Sequence, residues 1–355
     1  MSTLTSLLNT KTKAGVTVRA AELKRDRDEL IRFLSDNLAP AAHAARFDWL
    51  YLEGPCGPAR AWMAVNEAGQ TIGVAAAFPR DFRVGESVKQ AWVLGDFCIA
   101  REHRSLGPAL SLQRSCLESL KNAICYDFPS QSMLPVYRRL GVPTLGQHVR
   151  YVKLLKTDEA IMKFVRHRAL ANPLIQIGNW TLALRNMSQS MPDGITFSLH
   201  EEECGEEFDS IDSYSTSRHS VRGVRNARYL NWRYLRNPLR QYRLITARRG
   251  PELLGHAVVE VDGPYSLIAD LRTIDPENTI PGLLAYTERL LREMGARNIS
   301  THLLENCCLV PYLRRAGFYP RESAPVVAFG RDETLSLPGI HDPGNWFLVA
   351  GDRES

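Results

Sequence analysis

Four short segments in the first half of the chain return in the same order in the second. Asp48-Trp49-Leu-Tyr-Leu-Glu-Gly-Pro55 is matched by Asn231-Trp232-Arg-Tyr-Leu-Arg-Asn-Pro238, and Thr71-Ile-Gly73-Val by Leu253-Leu-Gly255-His. Asp96-Phe97 is matched by Asp270-Leu271, and Tyr137-Arg-Arg-Leu-Gly141-Val by Tyr312-Leu-Arg-Arg-Ala-Gly317-Phe. The offsets are 183, 182, 174 and 175 residues, a drift that loop insertions allow. One such pair means little, but four in order at nearly constant spacing imply a duplicated fold. With 355 residues, the chain has room for two ordinary domains. The expected division is 1–156, a connecting segment at 157–194, and 195–355. Within that connection, 160–170 is amphipathic, 175–184 is apolar, and 186–194 has the composition of a linker.

The first copy parses as mixed α/β. Residues 16–20 alternate as a strand, 25–38 carry Leu30, Ile31, Phe33 and Leu34 on a helical period, and 47–52 read as a short second helix ending at Gly54-Pro55. Residues 61–66 and 71–84 form a hairpin about Glu67-Ala-Gly69. Next comes 93–122, VLGDFCIAREHRSLGPALSLQRSCLESLKN. An apolar strand through Val93 and Ile99 enters a polar corner, then a helix with Leu106, Ala109, Leu110, Leu112, Cys116, Leu117 and Leu120 at three- and four-residue steps. Gly107 and Ala109 keep the helix start uncluttered, and Pro108 sits where a missing N–H costs little. Free amides at the positive end of a helix dipole suit an anion such as a pyrophosphate. A short strand (123–128) and a helix carrying Tyr137 one turn before a Gly141 stop follow.

This strand, turn and helix resemble motif A of the GNAT superfamily, the GCN5-related acyl-CoA N-acyltransferases. The pattern Q/R-x-x-G-x-G/A is met by Arg104, Gly107 and Ala109. The stretch around Ser130, Tyr137 and Gly141 resembles motif B, with Ser130 near the usual asparagine and Val142 in place of a phenylalanine. The resemblance implies a mixed α/β sheet in two tandem GNAT folds, and acetyl-CoA or another acyl-CoA as co-substrate. It also implies a V-shaped gap between the fourth and fifth strands that takes the pantetheine arm. The cofactor-binding residues it implies are Ile99, Arg104, Ser105, Leu106, Gly107, Pro108 and Ala109, with Arg104 ordering its loop or meeting a phosphate. In the implied reaction an amine attacks the thioester directly, so a base, a carbonyl donor and an acid for the thiolate are needed. Tyr137 is the implied acid. Asp96 and Asp127 are the carboxylates nearest the gap in sequence and both stand as candidate bases, Asp96 equally as a residue closing a strand end. A backbone N–H near Ile99 is the expected carbonyl donor.

The second copy departs from this pattern. Arg272-Thr-Ile-Asp275-Pro-Glu277-Asn-Thr-Ile-Pro281-Gly282 keeps a helix start but loses the motif spacing, and its carboxylates would repel phosphate. Acyl-CoA is therefore expected in the amino-terminal copy only, with the degenerate second copy shaping the acceptor site or covering its partner. Glu201, Glu202, Glu203, Glu206 and Glu207 read as an acidic helix start. Arg218, Arg222, Arg225, Arg228, Arg233, Arg236 and Arg240 read either as a wet helix face or as a grip on an anionic acceptor.

Composition narrows the classes. A net charge of +5 is too mild to argue for nucleic acid. No apolar run approaches the roughly 20 residues of a membrane span, and residues 1–15 lack the apolar core of a signal peptide, so a cytoplasmic protein is expected. The seven cysteines are odd in number and show no C-x-x-C, which reads as buried free thiols; Cys98 has no histidine spaced to activate it as a nucleophile. The nine histidines show no ligand spacing, so no metal is expected. The expected partner is a small-molecule or peptide amine, with oligomeric state open. Two alternatives remain: a Fem-type transferase charged by aminoacyl-tRNA, whose copies generally lack the motif A turn, and a catalytically inactive GNAT pair acting as a binding module.

Overall fold

Among the described residues of the computed structural model, long, apolar, β-branched and alanine-rich segments supply most of a single 15-stranded sheet. The structure describes residues 10–11, 16–38, 43–121, 123–158, 162, 172–173, 176–177, 192–214, 219–330 and 340–354. The segments at 160–170 and 175–184, the linker at 186–191 and Arg218 lie wholly or almost wholly outside these.

In the first half the order is β1 (Thr10–Lys11), β2 (Thr17–Ala20), α1 (Arg27–Asn37), α2 (Ala44–Phe47), β3 (Arg60–Val65), β4 (Thr71–Val84), β5 (Ser87–Ile99), α3 (Leu106–Ser119), β6 (Ile124–Asp127), α4 (Leu134–Arg139) and β7 (Thr144–Leu154). The second half runs β8 (Thr196–His200), α5 (Glu206–Tyr214), β9 (Val221–Gly223), α6 (Ala227–Leu230), β10 (Tyr242–Arg249), β11 (Glu252–Asp262), β12 (Tyr265–Thr273), α7 (Pro276–Glu293), β13 (Asn298–Leu304), α8 (Val310–Arg315) and β14 (Tyr319–Phe329), before β15 (Trp346–Phe347). The short helix expected at 47–52 is instead α2 continuing into a π-helical turn, Asp48–Leu52, closed by Glu53 N–H donating to the Asp48 carbonyl at 3.1 Å. A second π-turn, Asn231–Leu235, follows α6 in the same way.

The sheet order β5-β6-β14-β7-β13-β12 interleaves the halves. β14 lies antiparallel to β6 through Val327 opposite Asp127, and antiparallel to β7. β7 in turn lies antiparallel to β13, with Val149 opposite Leu303. Each half thus receives one strand from the other.

Close packing explains the echoed glycines. A Cβ on Gly73 would fall 2.5 Å from Ile99 Cδ1 and 3.2 Å from Leu112 Cδ2, so only glycine lets α3 settle on β4. On β11, a Cβ at Gly255 would meet the Arg272 carbonyl at 2.7 Å. The largest core mixes the halves, joining Trp49, Tyr51, Phe78, Phe82 and Tyr126 to Trp232, Tyr234 and Trp346. At its centre Trp49 and Trp232 stack with centroids 4.9 Å apart. Each indole N–H donates to the other's backbone carbonyl, at 3.1 and 3.2 Å. Arg80 lies over the Trp232 ring at 5.1 Å and Arg233 over Trp49 at 5.6 Å.

Trp232→Ala should cost about 4 kcal/mol in denaturant unfolding. Because the two rings share their partners, adding Trp49→Ala should cost measurably less than its single effect. Strict additivity would show that the pair does not act as one contact.

Candidate active site

β5 ends at Ile99, and a 3-10 turn at Arg101–His103 carries the chain into α3. Arg104 Nε donates to the Ile99 carbonyl at 3.1 Å, so this guanidinium orders the corner and occupies the acceptor of Ile99. Ser105 is the N-cap of α3, and no side chain caps the helix. A Cβ on Gly107 would meet nothing within 4 Å, which leaves the first turn of α3 sterically open at that position. Ala109 is buried against the sheet. A groove of about 580 Å³ lies here, walled by Asn66, Ile72, Arg104, Ser105 and Pro108, with Glu67 and Glu102 also on its rim.

The start of α7 differs. Its N-cap Asp275 holds Asn278 through both carboxylate oxygens and faces Arg249 at 3.6 Å, while Glu277 in the first turn accepts from the Tyr312 phenol at 2.7 Å. A Cβ on Gly282 would fall 2.1 Å from Phe197, so the β8 ring lies directly on this helix.

β5 and β6 pair in parallel only from Ala91 opposite Ile124 to Val93 opposite Tyr126, and then separate. The separation coincides with a bulge in β5, where Asp96 adopts φ +46°, a left-handed conformation that aspartate tolerates better than most residues. A buried cage holds it. Arg46 forks onto both carboxylate oxygens at 2.6 and 2.7 Å, and the Tyr51 phenol donates to Oδ2 at 2.7 Å. The cage has a twin at Asp270, which accepts from Tyr234 at 3.0 Å and from Arg225. β12 and β13 likewise separate after Ile268 opposite Thr301.

The 346–354 segment runs from the second half into the first gap. Trp346–Phe347 pairs in parallel with β9, Val349 bridges Leu303, and Asp352 accepts from Arg225 at 2.6 Å. Tyr126 then donates to the Asp352 carbonyl at 2.9 Å. Glu354 ends up against the bulge, so close that a Cβ on Gly95 would lie 2.8 Å from its Cγ.

At the head of the gap stand Asp127, ending β6, and Tyr137 on α4. The phenol donates to Asp127 Oδ2 at 2.5 Å and accepts from Gln113 Nε2 at 3.2 Å. Burial pushes the Asp127 carboxyl up to about 7; the tyrosine bond pulls the other way, and the Glu354 carboxylate adds to the rise. Burial also raises the Glu354 carboxyl, with Asp96 adding to it, and holds the Tyr137 phenol well above the usual tyrosine range.

The arrangement of strands and helices as a whole matches solved structures of one kind. A GCN5-related N-acetyltransferase from Anabaena variabilis matches over 88% of this chain and 72% of its own, at TM-score 0.60 and 12% identity. The chain has the GNAT fold. An Enterococcus faecalis V583 protein described as a probable N-acyltransferase gives TM-score 0.64 at 12% identity, over 90% of this chain and 74% of its own. Saccharomyces cerevisiae N-myristoyltransferase with bound myristoyl-CoA gives 0.56 at 10% identity, over 91% and 85%. No family model matches the sequence, and no curated protein does.

Within this GNAT fold, Ile99, Arg104, Ser105, Leu106, Gly107, Pro108 and Ala109 lie together at one corner. Asp127 and Tyr137 meet directly. Asp96 lies across the gap with both oxygens engaged, and Tyr312 points to Glu277 rather than to a β-strand carboxylate, so it does not reproduce the geometry of Tyr137. Cys98 is buried and pushed up to about 12, mainly by that burial. The wet arginine face does not form as a whole: Arg222, Arg225 and Arg233 are buried, Arg236 pairs with Glu203, and Arg240 with Glu260. Arg46, Tyr51, Gln113 and Glu354 escaped sequence reasoning. Only Tyr51 had a signal, as the echo of Tyr234 two residues past each tryptophan. Among the described residues, no helix is long and apolar enough to cross a membrane.

Arg46→Met leaves Asp96 charged, buried and short of a partner, and should cost about 3–5 kcal/mol. Adding Asp96→Asn, which keeps the left-handed turn accessible, should recover much of that loss in the same unfolding assay. Equal stability of the two variants would show that charge pairing is not what holds the bulge.

Proposed function

We propose that the chain is an acyl-CoA-dependent N-acyltransferase that moves an acetyl or other acyl group directly onto a primary amine. The observation that carries this reading is the uncapped, sterically open start of α3 at the mouth of a gap headed by the Asp127–Tyr137 pair. Amides of the first α3 turn would hold the pyrophosphate, which is the ligand chemistry such a terminus favours. We read the second half as a degenerate copy of the first, because its α7 start presents Asp275 and Glu277 where an anion would have to lie.

The chemistry assigns the acid and the base. An amine bound as ammonium must lose a proton before it can attack, and a carboxylate poised near neutrality suits that task. Asp127 is placed in that range, whereas Asp96 has a guanidinium on both oxygens and is better suited to fixing the bulge. As the C–N bond forms and the C–S bond breaks, Tyr137 gives its proton to the departing thiolate and recovers one from Asp127 through their shared hydrogen bond. Of the two protons that the nitrogen sheds, one reaches sulfur and one leaves to water. Glu354 lies where it can hold the amine beside Asp127.

Acetyl-CoA titrated calorimetrically into the full chain should bind at one site, and Gly107→Glu should remove that binding by at least about 100-fold. The space around Gly107 is open, so the substitution should leave the melting temperature unchanged. Unaltered affinity would reject the α3 assignment. An acetyl-CoA-blind but folded parent would instead favour an inactive GNAT pair or an aminoacyl-tRNA-dependent transferase.

The active base is the deprotonated one, so kcat/KM should rise with pH and level off above about 7. Asp127→Asn should abolish that limb and lower the rate by about 10²-fold or more. Stability has the opposite sign. The folded carboxyl titrates near 7 against an ordinary 3.8, so its contribution is complete below about 4 and lost as pH rises to 7. The asparagine variant, fixed neutral, should gain on the parent between pH 4 and 8. A flat difference would place the titration elsewhere.

A further inference from the structure

At the turn between β13 and α8, Cys307 and Cys308 meet His219, which precedes β9, whereas 130–133 of the first half reads Ser-Gln-Ser-Met. We propose that His219, Cys307 and Cys308 form a binding site for a thiophilic d10 cation, with zinc as the natural occupant. One imidazole nitrogen and both sulfurs lie within 4.8 Å of one another. A tetrahedral zinc with bonds of about 2.3 Å to sulfur and 2.0–2.1 Å to nitrogen needs its donors roughly 3.5–3.8 Å apart, so a contraction of about 1 Å closes the site.

Local structure explains how neighbouring cysteines can serve one ion. In a strand their side chains would point to opposite faces. Here the backbone turns, with Cys307 N–H donating to the Leu304 carbonyl at 2.9 Å and Val310 N–H to the Cys307 carbonyl at 3.0 Å, so both thiols converge on His219. The imidazole is already oriented. Its Nδ1–H donates to the Gly344 carbonyl at 2.8 Å, which fixes the tautomer and leaves the Nε2 lone pair facing the cysteines, where it accepts from Cys308 N–H at 3.3 Å. A second-sphere carbonyl on the far nitrogen is the arrangement that tunes metal-binding histidines.

Charge and access fit as well. Two thiolates and a neutral imidazole balance a divalent cation in a site where His219 and Cys307 are buried. Arg272 stands nearby, over the Phe347 ring at 4.3 Å, but Asp270 lies 3.5 Å from its guanidinium and offsets that charge. Cys308 is half-buried, which leaves a way in and a fourth position for water. Sequence spacing could not show this site, because His219 lies 88 residues before Cys307.

The test is cadmium titration of the full, reduced, chelator-treated chain, read by the thiolate-to-metal charge-transfer band, with zinc as competitor. One equivalent should saturate the band. Cys308→Ser, Cys307→Ser and His219→Gln should each weaken binding by about 100-fold or more while melting like the parent in the absence of metal. No band, or a band that survives in the Cys307→Ser/Cys308→Ser double variant, would overturn the proposal. Should that double variant fail to fold, alkylation of the parent decides: zinc must protect Cys307 and Cys308 from iodoacetamide in peptide maps, and equal labelling with and without zinc would overturn the site.

Discussion

β14 hydrogen-bonds to β6 along one edge and to β7 along the other, so a strand from the second half completes the sheet beside Asp127. β7 returns the contact by pairing with β13. Pulling the halves apart would break these three ladders and expose six strand edges on four strands, each a row of unpaired amides and carbonyls. The Trp49–Trp232 contact belongs to the same core as Val326 and Ala328 of β14. Each π-turn places its tyrosine against an aspartate of its own half.

Those bulged aspartates show how stability and shape are coupled. A strand that splays from its neighbour loses ladder bonds, and a residue at φ +46° is strained unless something holds it. At Asp96 the holding groups are Arg46 and Tyr51; at Asp270 they are Arg225 and Tyr234. Both aspartates are held by an arginine and a tyrosine beside a register shift, though among the described non-glycine residues only Asp96 has a positive φ. What distinguishes the two gaps is the tyrosine behind each: Tyr137 reaches the end of β6, whereas Tyr312 turns to Glu277 on α7. The common part is architecture, and the differing part is where chemistry can reside.

The sequence carried the local half of this picture. The glycine and alanine of the α3 corner, the strand that precedes it, the tyrosine helix and the echoed tryptophans were all readable, because each rests on spacing within one element. Strand exchange was not readable, since β7 and β14 look alike whichever half they complete. Nor was the burial of Arg225 and Arg233, whose partners lie at Asp270, Asp352 and the 353–354 backbone. Asp127 was readable as a candidate only by its position after a strand. Its poise near neutrality depends on burial and on Glu354, which no local pattern links to it.

The 346–354 segment ties the second half to the first gap. To deliver Glu354 to the first gap, the segment must be anchored on β9 at Trp346, on β13 at Val349 and on Arg225 at Asp352. Arg225 is in turn fixed by Asp270, the bulge of the second half. A change in that distant bulge would therefore be felt at Glu354 through two ion pairs and a short run of backbone, without passing through the sheet. What the second half contributes to the first gap is a strand, β14, and a strap, 346–354.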